Sequence, residues 1–205
     1  MTSTKRAKKS TRQPLTPERI STEALRLVDD EGVDALTMRS LARRLGVEAM
    51  SIYHHIPSKD ALLDGVVEQV LADLTLFDHG SGQWQDETRQ AAHNFRDALL
   101  AHPNTVSLVA TRRASAGFLR GPIEEAFGHL LEWGFSPDDA IDVLWTLNDV
   151  VIGNVITRDT ASTSRADDLF GPWDPEEESR RFDRTLTLLI AGIGVHMAAE
   201  SVSGP

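Results

Sequence analysis

The residues that could carry chemistry are concentrated in a short stretch that begins at Glu48. The segment 49–55 has the sequence AMSIYHH, and helical spacing turns Ile52 inward while the other side chains face out. Small and polar side chains of this kind can contact base edges in the major groove, and Tyr or His can contact phosphate groups. The segment therefore favours insertion into duplex DNA. From the residues alone, an ordinary corner between two helices of a bundle remains the alternative.

Catalytic and metal chemistry find little support along the chain. There is no Walker-type or GxGxxG phosphate loop, no G-x-S-x-G elbow and no H-E-x-x-H pair. The adjacent His54 and His55 cannot face one metal ion from a helix, and the absence of cysteine excludes disulfides, thiolate zinc sites and cysteine nucleophiles. We read the acidic groups at 124–125, 138–139 and 176–178 as solvated faces and helix starts. We predict no catalytic residue, no metal site and no cofactor.

The elements that must position the segment 49–55 are helices. Thr16 can cap a first helix, with Pro17 at its first position, and Gly32 can end it. A second helix starts after Thr37 and stops at Gly46, which tolerates the positive φ of a tight turn. A third helix of about 48–54 follows. This pattern is typical of a helix-turn-helix.

The rest of the chain is also predicted to be helical. After Pro57, Ser58 can cap a fourth helix that extends to about Thr75. Further helices are predicted at about 84–101, 115–133, 137–158 and 179–200. Pro103 and Gly121-Pro122 are predicted interruptions, and 76–83 and 159–178 are predicted loops. We therefore predict an all-α fold. Its parts are a basic flexible arm (1–14), a three-helix helix-turn-helix head (15–60), a connecting helix (61–75) and a ligand-binding and dimerisation domain (76–205).

Charge is unevenly divided between these parts. The chain has 205 residues and a net charge of −10, but residues 1–60 carry eleven Lys or Arg against eight Asp or Glu. Their net charge is +3, whereas residues 61–205 carry −13. One end can approach a polyanion while the rest repels it. No secretory leader or bilayer-spanning stretch is evident, so we expect a cytoplasmic protein.

The stretch from Leu15 to Leu71 resembles the DNA-binding domain of the TetR family of transcriptional regulators. The shared features are the L-A-x-x-L-G-V turn, the x-S-I-Y-H-H recognition helix and the S-K-D-x-L-L start of the fourth helix. A weaker resemblance over 84–104 and 134–141 points to the tetracycline-repressor-like branch of the family. The resemblance implies a DNA-binding regulator, most often a repressor.

The resemblance also implies roles for individual residues of the head. Thr37 and Arg39 fall where the tetracycline repressor contacts a phosphate and a base, and Arg39 could hold a guanine bidentately. Ala49, Met50 and Ser51 occupy base-reading positions at which that repressor has Gln, Pro and Thr, so the operator should differ. The positions that contact sugar-phosphate in the family hold Tyr53, His54, His55 and Lys59.

The regulatory domain departs from the tetracycline repressor at the positions that chelate drug-bound magnesium. The His and Glu used there align with Leu108 and Thr157, and other polar drug anchors with Thr75, Ala91 and Ala126. We therefore expect an effector other than magnesium-tetracycline and a more apolar pocket. The candidate liners are Phe95, Leu108, Leu144 and Asn148; for the apolar ones an ordinary core role is equally open, whereas the amide of Asn148 needs a partner.

The helices at 137–158 and 179–200 are apolar on more than one face, which predicts that a second copy covers them. In the family the equivalent helices form a four-helix dimer interface. The expected protein is thus a homodimer on a near-palindromic operator, released by a small molecule. Two alternatives remain: an all-α enzyme with an apolar cavity, and a DNA-binding dimer without an inducer.

Overall fold

A computed structural model of the chain describes residues 14–77, 82–112, 120–161 and 174–203. All regular structure in these residues is helical, which confirms the predicted all-α class. The basic arm lies outside the described residues, apart from Pro14. The α-helices are α1 (Pro17–Glu31), α2 (Met38–Leu45), α3 (Ala49–Tyr53), α4 (Lys59–Val70), α5 (Trp84–Ala101), α6 (Val106–Arg112), α7 (Arg120–Glu132), α8 (Pro137–Ala161) and α9 (Pro175–Ser203).

The ends of the head helices are set by local capping. The Thr16 hydroxyl accepts the backbone N–H of Arg19 at 3.2 Å, as predicted from sequence. Gly32 ends α1 with φ +83°. Ser58 caps α4 by accepting the N–H of Ala61 at 3.0 Å. Each cap satisfies a backbone donor that the first turn of a helix leaves unpaired.

The turn between α2 and α3 follows the helix-turn-helix pattern. Gly46 is in the left-handed region with φ +67°, where a side chain would be strained. Beyond the turn, α3 has only five residues, too few for an isolated helix in water. Ile52 is fully buried together with Leu41 of α2, and burial of such a side chain is worth roughly 1.5–3 kcal/mol. Tertiary packing therefore holds α3 in place.

The fourth helix packs closely on α1 and is shorter than predicted. Gly65 permits the close approach, because a Cβ there would lie 2.4 Å from Ser21 Oγ. The predicted extension to Thr75 is wrong, since α4 ends at Val70 and the chain turns. The turn lets Phe77 bury edge-on against Trp133, with ring centroids 5.2 Å apart.

Three boundaries in the remaining chain also differ from the sequence predictions. The predictions missed α6 altogether. Gly121-Pro122, predicted as an interruption, lies in the first turn of α7, where proline is tolerated. The last helix begins at Pro175 rather than Ser179, because Asp174 accepts the N–H of Glu176 through its carboxylate at 3.0 Å.

A continuous apolar core runs from the head into the second domain. There α5 packs against α8 and α9, α7 packs on α8, and α6 contacts both α4 and α8. Helix α8 is long and apolar enough by composition to cross a bilayer over Pro137–Arg158, with a mean hydropathy of 1.3. This result differs from the sequence expectation. One third of that span is buried within the protein.

Candidate nucleic-acid interface and ligand-binding core

The outer surface of α3 presents the residues that the sequence analysis singled out. Met50 is 64% exposed and Tyr53 45% exposed, and both His54 and His55 are also exposed. Ala49 and Ser51 lie half-buried on either side of Met50. Because Ile52 is anchored inward, the remaining side chains of this short helix are held at the surface of the head.

The start of α2 is organised by a reciprocal cap. Thr37 Oγ1 accepts the backbone N–H of Ser40 at 3.0 Å, and Ser40 Oγ accepts that of Thr37 at 2.9 Å. The Thr37 side chain is therefore already engaged with its own helix. Arg39 follows in the first turn, and its exposed side chain forms no ion pair with any residue that the structure describes.

Basic residues of the head divide into paired and unpaired groups. Arg44 donates from Nε to Glu23 at 2.7 Å and also pairs with Asp30 and Glu31 of α1. The hydrogen bonds to Asp30 and Glu23 raise the pKa of Arg44 further above its usual range. In contrast, the exposed Arg39, Arg43 and Lys59 have no carboxylate partner in the described ranges. Among the described residues of the head, these three side chains are therefore available to an external anion.

The first turn of α4 connects the head to the second domain. Lys59 opens the helix, and the adjacent Asp60 accepts from Arg112 Nη2 at 2.6 Å. Arg112 Nη1 also donates to Asp64 Oδ1 at 2.8 Å. These hydrogen bonds raise the pKa of Arg112, that to Asp60 contributing most. The C-terminal end of α6 is thus fastened to α4 beside Lys59.

The segment before α6 is fastened to α1 in a similar way. His102 Nδ1 lies 2.9 Å from Asp29 Oδ2. The Asn104 amide donates to the backbone carbonyls of Val28 and Asp29 at 3.1 and 2.9 Å. These carbonyls lie in the last turn of α1, and that of Val28 also accepts the backbone N–H of Gly32 at 2.8 Å. Sequence reasoning missed both fastenings, because their partners are far apart in the chain.

The four predicted ligand-binding residues occupy different environments. Leu108 is buried, whereas Phe95 and Leu144 are partly buried against the core. Asn148 is half-buried, and its amide donates to Asp149 Oδ1 at 3.0 Å. The partner that Asn148 was expected to need is thus supplied by its neighbour on α8. Their role in ligand binding stays a prediction.

A groove of about 390 Å³ lies between α8 and α9. None of the four predicted residues lines it. Leu188 lines the groove and is 76% exposed. Trp145 of α8 and Val195 of α9 are further exposed apolar side chains, by 51% and 71% respectively; with Leu188 they are called the exposed apolar residues of α8 and α9. The groove residues are Phe135, Asp139, Asp142, Val143, Thr146, Leu188, Leu189, Gly192, Ile193 and His196.

A buried polar network joins α5, α8 and the start of α9. Arg96 donates to Asn154 Oδ1 at 2.8 Å and to Glu178 Oε2 at 2.5 Å, and the Asn154 amide donates to Glu178 Oε1 at 2.8 Å. The guanidinium carbon of Arg96 lies 4.8 Å from the centre of the Phe182 ring. The prediction that Glu178 belongs to a solvated helix start is therefore wrong. Satisfied hydrogen bonds explain how Arg96 can be 95% buried.

Comparison with known proteins identifies the group to which this arrangement belongs. The family described as "Bacterial regulatory proteins, tetR family" matches residues 20–66, which contain α2 and α3. The family "Tetracyclin repressor-like, C-terminal domain" matches residues 77–169. The chain belongs to the TetR family. It is thus one of a family of DNA-binding transcriptional regulators.

Individual members of the TetR family are similar over most of the chain. The class A tetracycline repressor from transposon 1721 of Escherichia coli is 34% identical over 144 residues, covering 69% of this chain and 66% of that protein. TetR from Acinetobacter baumannii AYE superposes with a TM-score of 0.74 at 29% identity, covering 90% and 99% of the two chains; a variant of it was solved with minocycline. ActR of Streptomyces coelicolor in complex with (S)-DNPA has a TM-score of 0.75 at 25% identity, covering 90% and 99%.

The structure describes both Leu108 and Thr157, which the sequence resemblance aligns with the magnesium-chelating His and Glu of the tetracycline repressor. Leu108 is a buried aliphatic side chain with no ligand atom. The Thr157 hydroxyl donates to the carbonyl of Gly153 at 2.8 Å. Within the described ranges, no group of three or more His, Cys, Asp or Glu side chains could hold a metal ion.

Proposed function

We propose that the protein is a homodimeric transcriptional repressor that leaves a near-palindromic operator when a small, largely apolar effector binds. The observation that supports DNA binding best is the surface of α3 framed by unpaired cations. Arg39 lies in the first turn of α2 and Lys59 in the first turn of α4, and neither has a carboxylate partner in the part of the chain described. Phosphate attraction supplies much of the affinity of such surfaces.

The DNA-contacting set is the one predicted from sequence. We assign Arg39 to contact with one base, and Ala49, Met50 and Ser51 to contact with base edges in the major groove. Thr37, Tyr53, His54, His55 and Lys59 are assigned to the sugar-phosphate backbone. Because the Thr37 hydroxyl already takes part in its helix cap, its contribution to phosphate binding is limited to the remaining capacity of that oxygen.

Dimerisation is supported by the exposed apolar residues of α8 and α9. Leu188, Val195 and Trp145 are large apolar side chains with at least half of their surface in contact with solvent. Several large apolar side chains exposed on two neighbouring helices are the kind of surface that marks an interaction site in a water-soluble protein. A second copy in two-fold symmetry covers these residues, and it places the two α3 helices about 34–36 Å apart, one turn of DNA.

The effector is proposed to be a molecule other than magnesium-tetracycline. The buried Leu108 and the internally bonded Thr157 lack the imidazole and carboxylate that the chelated ion requires. Phe95, Leu108, Leu144 and Asn148 remain the proposed liners. To change the operator from almost fully bound to almost fully free, the effector must distinguish the two head arrangements by about 5.5 kcal/mol. We assign the protein no catalytic activity and place it in the cytoplasm, where its DNA lies.

Selection of bound sites from random duplexes tests this proposal directly. We expect a pseudo-palindromic site that binds two chains, measured by sedimentation of the complex. Calorimetry with magnesium and tetracycline should show no tight binding. A protein that stays monomeric and binds no duplex in dilute buffer would contradict the proposal, and tight uptake of the chelated drug would contradict its effector class.

A further inference from the structure

The recognition helix α3 has no amide or charged side chain, and its residues 49–53 are called the tip below. Residues 49–53 are Ala, Met, Ser, Ile and Tyr, and none of them is an amide or a charged residue. Met50 is 64% exposed, whereas Ala49 and Ser51 beside it are half-buried. The most exposed side chain of α3 is therefore a thioether without a hydrogen-bond donor.

Such a tip cannot recognise bases in the usual bidentate manner. Guanine and adenine are recognised in the major groove by side chains that pair with two edge atoms at once, and cytosine by an acceptor for its amino group. Thymine alone among the four bases offers a methyl group there. A flexible, polarisable methionine packs well against such a group.

We propose that Met50, with Ala49 beside it, recognises thymine C5-methyl groups, so that α3 selects its bases mainly through apolar contact. This inference rests on the proposed function and specifies its ligand. The flanking cations fit the arrangement, because Arg39 and Lys59 supply the attraction to DNA that Met50 lacks. Glu48, the exposed residue that precedes α3, disfavours phosphate contact at this point and so favours placement of the tip over base edges.

The test uses the full-length protein and a duplex chosen by selection from random sequence. Each thymine in that duplex is replaced singly by deoxyuridine, which pairs identically but lacks the methyl group. We expect about fourfold weaker binding at one or two positions in each half-site, and no change at the other thymines. Fourfold corresponds to the roughly 0.8 kcal/mol gained by burying one methylene-sized group.

A variant assigns the effect to the side chain. Met50→Ala should bind the thymine and uracil duplexes equally, and its thermal melt should match that of the wild type because the residue is largely exposed. Lys59→Ala is the matched control: it should weaken binding to both duplexes and keep their ratio.

The outcomes separate the inference from the proposed function. If no random duplex is retained at low salt, the proposed function fails. If a specific duplex is retained but every uracil substitution is neutral, the function stands and methyl recognition is overturned. Retention of the thymine preference by Met50→Ala overturns the role of Met50. The uracil series on the wild type needs no variant, so a folding defect cannot obscure it.

Discussion

Three arginines of α2 carry the same charge but differ in what surrounds them. Arg44 is enclosed by carboxylates of α1, and its charge is largely neutralised there. Arg39 and Arg43 have no such partners in the residues described. The residue type alone cannot distinguish these cases, because the acids that pair with Arg44 lie on another helix. Arg39 is consequently a better candidate than Arg44 for contact with DNA.

Replacing Arg39 by alanine should weaken operator binding by about 1–3 kcal/mol and relax the preference at one base pair, because a bidentate contact to guanine is lost. Fluorescence anisotropy with the selected operator and its single-base variants measures both effects. An unchanged preference at every position would show that Arg39 does not recognise a base.

Lys59→Ala provides the comparison at the same scale. It should weaken binding to all sequences alike and reduce the slope of log K against log salt by about one, as expected for one phosphate contact. A change in base preference instead would contradict the phosphate role of Lys59.

The ends of helices could be predicted from sequence where a local cap sets them, but not where packing against distant residues sets them. Thr16 and Ser58 cap as predicted because each hydroxyl accepts from a backbone N–H only three residues further along the chain. The end of α4 and the existence of α6 were missed, because burial of Phe77 and fastening of Arg112 depend on residues distant in sequence. In addition, α6 has only seven residues and follows Pro103, so its sequence is too short to show a clear helical repeat of apolar residues.

The fastening of α6 to α4 should contribute measurable stability. In a double-mutant cycle with Arg112→Ala and Asp64→Asn, we expect a coupling of about 1 kcal/mol in the free energy of unfolding, because both side chains are partly shielded from solvent. Urea denaturation measures it. The exposed pair of Arg180 and Glu177 is the control and should give a smaller coupling. Strictly additive effects at Arg112 and Asp64 would contradict this account.

The buried network around Arg96 should be more sensitive still. Arg96→Ala is expected to lower the free energy of unfolding by roughly 3–5 kcal/mol, because it leaves Glu178 without its main partner in a shielded site. Replacing both residues, as Arg96→Met with Glu178→Gln, should recover most of that loss.

Arg89→Ala controls for the loss of an arginine from α5, since its hydrogen bonds to α9 are long and exposed. Equal losses of stability for Arg89→Ala and Arg96→Ala would show that the network contributes little. Denaturant unfolding monitored by circular dichroism compares all of these variants.

At the scale of the whole molecule, the all-α class and the helix-turn-helix followed from the sequence, but the arrangement of the second domain did not. Surplus apolar residues on two helices indicated a further interface. They could not show that Leu186 and Ile190 turn inward while Leu188 and Val195 turn outward, since that division depends on where α5 and α8 pack. For the same reason the sequence could not show that the Asn148 amide pairs with Asp149 on its own helix.

Leu188→Glu should convert the proposed dimer to a monomer, because it places a charge at a 76% exposed apolar position of α9 that the proposed interface covers. Sedimentation equilibrium measures the mass, and operator binding should weaken in parallel. Leu131→Glu, on an exposed position of α7, is the matched control and should remain dimeric. An unchanged mass for Leu188→Glu would place the interface elsewhere.

The docking of residues 102–112 onto both α1 and α4 has a consequence for protein engineering. A chimera that joins the segment from α1 to α4 to the second domain of another regulator would leave the Val28 and Asp29 carbonyls without the Asn104 amide, and Asp60 and Asp64 without Arg112. The transplant boundary should therefore not fall at the loop after α4. A functional hybrid needs to carry the short stretch from His102 to Arg112 along with the head.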